Sequence, residues 1–264
     1  MEFDEKSHDM DTQSQLVGGA QSFRRAISLL RLVARDHAQG VRAADLASSC
    51  GLERSTAYRL LAALEEEQLV RKDANTKRFH LGMSAMQLGF SAMSRIPLLD
   101  LYRPTLQQIA RVSGDTVFML LQQGEYCICV HREEGPFPIR VFATYVGAVR
   151  PVGIGAGGLA ILATLPDEQI EAVLARHAAS FETAGLNAQS VRRIVARTRR
   201  LGYSETLGVI TTGVSAVGAV IPLPGDVRAA VSIGAIDARM KPERRAQLGE
   251  YLVKTLANPV PSAG

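Results

Sequence analysis

The sequence predicts an α+β protein with two domains, a small N-terminal helical domain and a larger C-terminal domain of mixed helices and strands. The chain has 264 residues, more than the roughly 100 to 200 residues of a typical domain. Apolar side chains recur at helical spacing in the first third of the chain, whereas strand-like and helix-like segments alternate after it. No apolar run reaches the roughly 18 residues that a membrane-spanning helix needs.

Positive charge is concentrated in the first third of the chain. Residues 21–80 contain 11 lysines and arginines against 7 aspartates and glutamates. The resulting excess of +4 equals the net charge of the whole chain. Such a local excess is typical of a module that binds a phosphate backbone, although a charged, solvated face would give the same count.

The first element after the N-terminus is predicted to be an amphipathic helix. Residues 1–20 are polar and acidic, and we expect them to form a disordered tail without an export signal. The helix is predicted to begin at Ser22 as its N-cap and to end near Asp36. Ile27 and Leu30 are among the apolar residues at helical spacing within it.

The next two helices are predicted to form a helix-turn-helix. A short helix spans Ala43 to Cys50, and Gly51 supplies the sharp turn after it. A third helix runs from about Glu53 to Glu67, with apolar residues along one side and polar or basic residues along the other.

A β-hairpin is predicted after the third helix. Residues 73–76 favour a turn between two β-prone pieces, and Val70 and Phe79 are able to pack inward. A hairpin after a helix-turn-helix is the wing of a winged helix. We therefore assign residues 21–82 to a DNA-binding domain.

In a helix-turn-helix the second helix enters the major groove, so the helix from Glu53 to Glu67 is predicted to be the reader. The side chains expected to contact DNA are Arg42, Arg54, Ser55, Thr56, Tyr58, Arg59, Lys77 and Arg78. The arginine side chains can bind guanine or phosphate, and the hydroxyls of Ser55 and Thr56 can bind phosphate or base edges. Which of these residues contact bases and which contact phosphates therefore stays open. The wing could also reach the minor groove, and protein association is the alternative role for the motif.

The rest of the chain is divided between a linker and the second domain. Residues 83–95 are predicted to form a linker helix, and residues 96–264 a domain for effector binding and oligomerisation. Its first predicted elements are a helix near Leu98 to Val112 and strands near Thr116 to Gln122, Glu125 to Glu133 and Ile139 to Phe142.

A glycine-rich segment, residues 152–158, is the most distinctive feature of the second domain. Its four glycines predict a loop with close backbone approach before a helix, and free amides there favour an anion. The spacing of Gly153, Gly155 and Gly158 satisfies GxGxxG, but the strand-turn-helix context and the acidic partner of a dinucleotide site are missing. No Lys-Ser or Lys-Thr follows, so a P-loop is excluded and no cofactor is expected.

The sequence does not predict a catalytic or metal site. The five histidines are scattered, and Ser215 and Ser232 lie outside a GxSxG setting. His131 lies near two glutamates in HREEG, but a solvated strand end explains that cluster. The three cysteines are interpreted as structural thiols. The alternative function is a small-molecule enzyme that carries an accessory helix-turn-helix.

The chain resembles the IclR-type transcription regulators in LERSTAYRLLAALEEEQLV and in the wing and linker that follow. The resemblance continues in TLQQIARVSGDTVFMLLQQGEYCICVHREEG, in PVGIGAGGLAILATLPDEQI, and in RRLGY before GVSAVGAVI and AAVSIGA. It implies a GAF-like α/β effector-binding domain and DNA heads that pair through the N-terminal region. It further implies homodimers or dimers of dimers on palindromic operators, in the cytoplasm.

In that family the glycine-rich segment lines the effector cavity. Many relatives have PLHxTAxGK where this chain has PVGIGAGGL, so glycines replace the histidine and the threonine, at Gly153 and Gly155. Leu159 replaces the lysine. The resemblance therefore implies a roomier, less polar cavity here.

Acid-sensing relatives place small polar or acidic groups at positions that correspond to Thr206, Ala216, Ser232 and Gly234, of which two are polar here. We therefore expect an aromatic or largely apolar carboxylate, not a very small acid, with its acid group at the amides of residues 156–158. The residues expected to contact it are Phe118, Val152, Gly153, Ile154, Gly155, Ala156, Gly157, Gly158, Ala216 and Ser232.

Overall fold

The computed structural model describes residues 7–36, 39–93, 98–141 and 143–260, and within these the side chains of all but residues 7–19 and 93. The chain divides into two compact units, Met1–Ile96 and Pro97–Gly264. Among the described residues, none of the helices combines the length and the apolar character needed to cross a membrane.

The first unit is a winged helix-turn-helix followed by one more helix. Its helices are α1 (Ser7–Arg35), α2 (Ala43–Ser49), α3 (Arg54–Glu66) and α4 (Met83–Met93), and its strands are β1 (Val41–Arg42), β2 (Val70–Lys72) and β3 (Arg78–Leu81). The strands form an antiparallel sheet in the order β1-β3-β2. The predicted winged fold is confirmed, with β1 as a strand that the sequence analysis did not predict.

The core of this unit is built by one apolar face from each of α1, α2 and α3 and from the wing. Leu29 and Val33 of α1 are buried with Leu46 of α2, Leu61 of α3 and Phe79 of β3. Because these residues recur at helical or strand spacing, the faces of α2 and α3 left outside the core are mostly polar.

Helix α1 begins at Ser7, within the segment for which the sequence predicted a disordered tail. Ser22, the predicted N-cap, therefore lies inside the helix. No proline interrupts the preceding residues, and the two glycines at 18 and 19 cost only about 1 kcal/mol each in a helix. Residues 1–6 lie outside the described part of the chain.

The second unit is a six-stranded antiparallel sheet covered by helices. Its strands are β4 (Thr116–Gln123), β5 (Tyr126–Glu133), β6 (Val149–Pro151), β7 (Ser204–Leu207), β8 (Val214–Ile221) and β9 (Ala229–Ile236), in the order β6-β5-β4-β9-β8-β7. Its helices are α5 (Leu98–Ser113), α6 (Ala156–Leu162), α7 (Asp167–Arg176), α8 (Ala178–Thr183), α9 (Ala188–Leu201) and α10 (Pro242–Ala257).

Helix α6 packs across the middle of this sheet, on β4, β7, β8 and β9, and α9 packs against α6 and β7. Helices α5 and α10 contact each other and pack on β4, β5 and β8. A continuous apolar core joins α6 to α7, α8 and α9 through residues such as Leu159, Leu162 and Phe181. This confirms the predicted α/β architecture of the C-terminal domain.

The strand predicted near Ile139 to Phe142 is absent from the described residues, 139–141, while Phe142 lies outside them. Pro136 and Pro138 remove two backbone donors just before this segment, which disfavours pairing. The amide of Val141 instead donates to the Thr116 hydroxyl oxygen at 3.3 Å. On the side of β5 away from β4, the pairing strand is β6, next to the glycine-rich loop.

Strand β5 contains a β-bulge. Met119 of β4 is paired with His131, but the next residue, Leu120, is paired with Cys129. Val130 is therefore an extra residue on β5. A bulge of this kind bends the strand and increases its twist.

Candidate DNA-binding helix and enclosed cavity

Helix α3 presents a polar, basic surface at its N-terminal half. It buries Ala57, Leu60, Leu61 and Leu64 against the core. The exposed residues of its first two turns are Arg54, Ser55, Tyr58 and Arg59, and Thr56 is half-buried. The acidic residues of α3 lie at its C-terminal end. The N-terminal half, which reaches the base edges in this motif, is therefore positively charged.

Four of the predicted basic contacts are available to a ligand. Arg42, Arg54, Arg59 and Lys77 are exposed, and no ion pair joins them to any other residue in the described part of the chain. An arginine without an internal partner keeps all five of its N–H donors for a phosphate or a base.

The wing turn is organised by Asp73. Its carboxylate accepts hydrogen bonds from the amide of Asn75 at 3.0 Å, and from the amide and hydroxyl of Thr76 at 2.7 and 2.9 Å. These hydrogen bonds lower the pKa of Asp73. Lys77 follows with a left-handed backbone, φ 57°, which holds this exposed lysine at the tip of the wing.

Arg78 differs from the other predicted contacts because it is engaged within the domain. Its Nη1 donates to the carbonyl oxygen of Gly40 at 2.8 Å, and the side chain is half-buried. Gly40 has φ 67°, and a Cβ there would lie 2.5 Å from the ring of His80. Arg78 therefore ties the wing to the turn before α2.

In the second unit, the inner face of the sheet and the glycine-rich loop before α6 enclose a cavity. Its lining residues are Phe118, Leu120, Cys127, Cys129, Ala143, Thr144, Ala148, Arg150, Ile154, Gly155, Ala156, Gly157, Thr206, Ile210, Thr211, Val214, Ala216, Ser232 and Gly234. Most of these side chains are apolar, and a few hydroxyl groups and one guanidinium interrupt them. Such a lining is typical of a small-molecule site.

Of the ten residues predicted to contact an effector, seven line this cavity. Val152, Gly153 and Gly158 do not. Val152 is wholly buried in the helical core, and a Cβ on Gly153 would meet Leu162 at 2.7 Å and Phe181 at 3.1 Å. A Cβ on Gly158 would lie 3.2 Å from the backbone nitrogen of Gly153. These three residues therefore allow close packing and do not face the cavity.

Helix α6 lies directly on the sheet because Gly218 of β8 has no side chain. A Cβ at this position would lie 2.6 Å from the carbonyl carbon of Ala156 and 2.7 Å from the amide nitrogen of Gly157. The hydroxyl of Ser204 also donates to the carbonyl oxygen of Ala156. These two contacts fix the position of α6, which forms the floor of the cavity.

Arg150 of β6 is the one charged side chain among the described residues that line the cavity, and the sequence patterns did not predict its role. Its Nη1 donates to the Thr144 hydroxyl at 2.7 Å, and its Nη2 to the carbonyl oxygen of Ala143 at 3.2 Å. Burial lowers its pKa. A signal was present in the sequence, since an arginine adjoins the glycine-rich segment in an otherwise apolar stretch.

Cys127 and Cys129 lie side by side along β5 and face the cavity. Burial raises the pKa of Cys127 to about 12 and that of Cys129 to about 11. Both therefore remain neutral thiols at pH 7 and serve as small apolar groups in the wall. Within the described residues, no three histidine, cysteine or acidic side chains come together as a potential metal site.

Two family models match this chain. The IclR helix-turn-helix domain matches residues 22–74, and the C-terminal domain of the bacterial transcriptional regulator IclR matches residues 90–260. The second match alone covers more than half of the chain.

Named relatives align along most of their length. The HTH-type transcriptional repressor AllR of Klebsiella pneumoniae is 26% identical over 243 residues, which are 91% of this chain and 89% of AllR. The transcriptional repressor IclR of Escherichia coli is 28% identical over 243 residues, 90% of this chain and 88% of IclR. These relatives are repressors, not enzymes.

Solved structures share the fold. The IclR-type regulator from Alicyclobacillus acidocaldarius superposes with a TM-score of 0.70 at 22% identity, covering 90% of this chain and 96% of that one. An IclR homologue from Microbacterium hydrocarbonoxydans, solved in complex with 4-hydroxybenzoate, gives a TM-score of 0.68 at 18% identity, covering 89% of this chain and 97% of that one.

Proposed function

The chain belongs to the IclR family of bacterial transcriptional regulators, and on that premise we propose that a small molecule in the cavity modulates its hold on DNA. As a member it is a DNA-binding transcription regulator and not an enzyme. The single observation that carries the proposal is the separation of two ligand surfaces. A basic helix face lies in one compact unit, and an enclosed, mostly apolar cavity lies in the other.

For DNA, we propose that α3 enters the major groove with Arg54, Ser55, Tyr58 and Arg59 toward the base edges. Arg42 and Lys77 bind the flanking phosphates, which supplies affinity without sequence information. Thr56 and Arg78 contribute less direct contact, since Thr56 is half-buried and Arg78 holds the wing against Gly40.

We propose that the protein acts as a homodimer or a dimer of dimers on a palindromic operator. Large apolar side chains are exposed on α4, including Met83, Met86, Leu88 and Phe90. An apolar surface of this kind is typical of a face that another chain covers. Two readers paired in this way would occupy half-sites one DNA turn apart, about 34–36 Å.

We propose that the effector is an aromatic or largely apolar carboxylate. The apolar lining favours such a body, and the hydroxyls of Thr206, Thr211 and Ser232 offer a few polar contacts. The 4-hydroxybenzoate complex of the Microbacterium homologue supports the same class. Such a protein works in the cytoplasm, where its DNA is.

The test is DNA binding by fluorescence anisotropy, with the full-length protein and the intergenic DNA upstream of its own gene, in a salt series. We expect specific binding that a scrambled competitor does not displace and that weakens steeply as salt rises. Aryl carboxylates are then added to the complex. Equal binding to operator and scrambled DNA would contradict the regulator proposal.

A further inference from the structure

Arg150 is a half-buried cation whose hydrogen-bond partners are all neutral. The guanidinium contacts the Thr144 hydroxyl and the Ala143 carbonyl oxygen, which uses two of its five N–H donors. No carboxylate forms an ion pair with it among the residues that the structure describes. A buried charge without a counter-charge is unfavourable unless a ligand supplies one.

Three other half-buried arginines of the same unit are neutralised by carboxylates. Arg239 and Arg244 both pair with the buried carboxylate of Asp115, at 2.8 and 2.6 Å. Arg245 pairs with Glu205 at 3.4 Å. The fold thus supplies acidic partners for these three cations. Half-buried Arg228 lies outside the cavity lining and donates to the carbonyl oxygen of Asp226 at 3.5 Å, whereas the guanidinium of Arg150 lies in the cavity wall without an acidic partner among the described residues.

The loop amides before α6, where the sequence predicted the acid group, offer a weaker anion site. Helix α6 has only seven residues, so its dipole is small. The side chain of Ile210 fills the space beside Gly155, 2.6 Å from where a Cβ would be, and that of Leu120 fills the space beside Gly157, at 2.5 Å. Apolar side chains therefore lie beside both glycines in this part of the cavity.

We infer that Arg150 is the residue that binds the carboxylate of the effector and thereby selects an acid over a neutral analogue. The planar guanidinium forms two parallel hydrogen bonds with a carboxylate. Arg150 lies on the edge strand β6, and Ser232 lies on β9, three strands away across the sheet. The apolar body of the ligand then extends over Cys129 and Phe118 toward Ser232.

This inference rests on the proposed function, because it takes the cavity as the effector site. The test is calorimetric titration of the full-length protein with benzoate, phenylacetate and 4-hydroxybenzoate, each against its primary amide. The variant Arg150→Met keeps the length of the side chain and removes the charge. Arg140→Met is the matched control, since Arg140 is exposed and outside the cavity lining.

We expect wild-type protein and Arg140→Met to bind at least one acid more tightly than its amide. In Arg150→Met the affinity for that acid falls by about 30-fold or more, the usual cost of removing one partner of a buried charge pair. Affinity for the amide is unchanged. Arg150→Lys, which keeps the charge but not the planar fork, gives an intermediate loss.

Three results would overturn the inference. The first is a panel in which no acid binds more tightly than its amide. The second is an acid preference that Arg150→Met keeps. The third is a lower melting temperature of ligand-free Arg150→Met with equal losses for acids and amides, which would make Arg150 structural. Operator binding by the ligand-free wild type and by Arg140→Met is measured in parallel, so failure of the regulator proposal is seen separately.

Discussion

The two units of this protein place positive charge in opposite ways. In the DNA-binding unit, Arg54 and Arg59 lie on an exposed helix face and remain accessible to solvent. In the second unit, Arg150 is half-buried in an apolar wall, with neutral partners. We propose two different tasks for the same side chain, attraction of a polyanion from solution and recognition of one anion inside a cavity.

The two arrangements differ in the source of their binding free energy. Exposed arginines cost little to hold in place, and their attraction for DNA is screened by salt. The half-buried arginine loses hydration when the chain folds, and on our proposal a carboxylate restores the lost interactions. Salt should therefore weaken the first interaction strongly and the second only slightly.

The largest effect should come from removing the reader's charge. We expect Arg54→Ala combined with Arg59→Ala to lower operator affinity by about 100-fold or more, because each arginine contact to a base is worth about 1–3 kcal/mol. Anisotropy against operator DNA measures this, and effector affinity should not change. The control Arg111→Ala with Arg193→Ala removes the same charge from exposed positions in the second unit. An equal loss in the control would mean that only net charge matters.

A change in the cavity floor should affect the second unit alone. Gly218→Ala places a methyl group against the backbone of α6, and we expect a loss of about 1–3 kcal/mol in the free energy of unfolding. Denaturant melts followed by circular dichroism measure it. Gly234→Ala is the matched control on the neighbouring strand, since its nearest neighbour would be Phe118 at an ordinary 3.4 Å. Equal stability of the two variants would show that α6 is not seated as described.

Thiol labelling should distinguish the half-buried cysteine of the DNA-binding unit from the two buried cysteines of the cavity. At pH 8 we expect iodoacetamide to modify half-buried Cys50 at least about tenfold faster than Cys127 or Cys129, because the thiolate is the reactive form and burial suppresses it in the cavity. The pKa values of about 12 and about 11 for the two cavity thiols place their ionisation far above this pH. Peptide mass spectrometry follows the rates. Faster labelling of the cavity cysteines would mean that the cavity opens readily.

The smallest effect should come from the wing turn. The pKa of Asp73 is lower in the folded protein, so its contribution is complete above its unfolded pKa and disappears as the pH falls through the folded value. In an NMR titration the amide shift of Thr76 should follow this protonation. Asp73→Asn should abolish the titration and reduce operator affinity only slightly. A Thr76 shift that titrates equally in the variant would assign the effect to another group.

Much of the fold could be predicted from local patterns. Helix α3 was predicted from Glu53 to Glu67 and spans Arg54–Glu66, because its apolar residues repeat over several turns. Strand β1 has two residues and carries no periodicity, so only its pairing with β3 defines it. Phe23 has the same helical spacing as the buried residues of α1 but is 67% exposed. Spacing predicts which face of a helix is apolar, but not how far along the helix the core extends.

The site was less predictable, for a physical reason. Glycines at 153, 155 and 158 give one pattern in the sequence, yet only Gly155 faces the cavity, because the others allow helix and loop to pack closely. Arg150 is the reverse case. Its neighbour Val149 is 56% exposed while the arginine points inward, which inverts the usual polarity of a strand.

The bulge at Val130 means that the shape of the cavity is set partly by the number of residues and not only by their identity. Removing this residue would leave the strand pairs on either side of it intact, from Met119 with His131 to Leu120 with Cys129. The sheet would lose local twist, and the wall would flatten without any change in its lining side chains. A one-codon deletion here would therefore be a route by which such a regulator could accept a ligand of another shape while its chemistry of recognition stays the same.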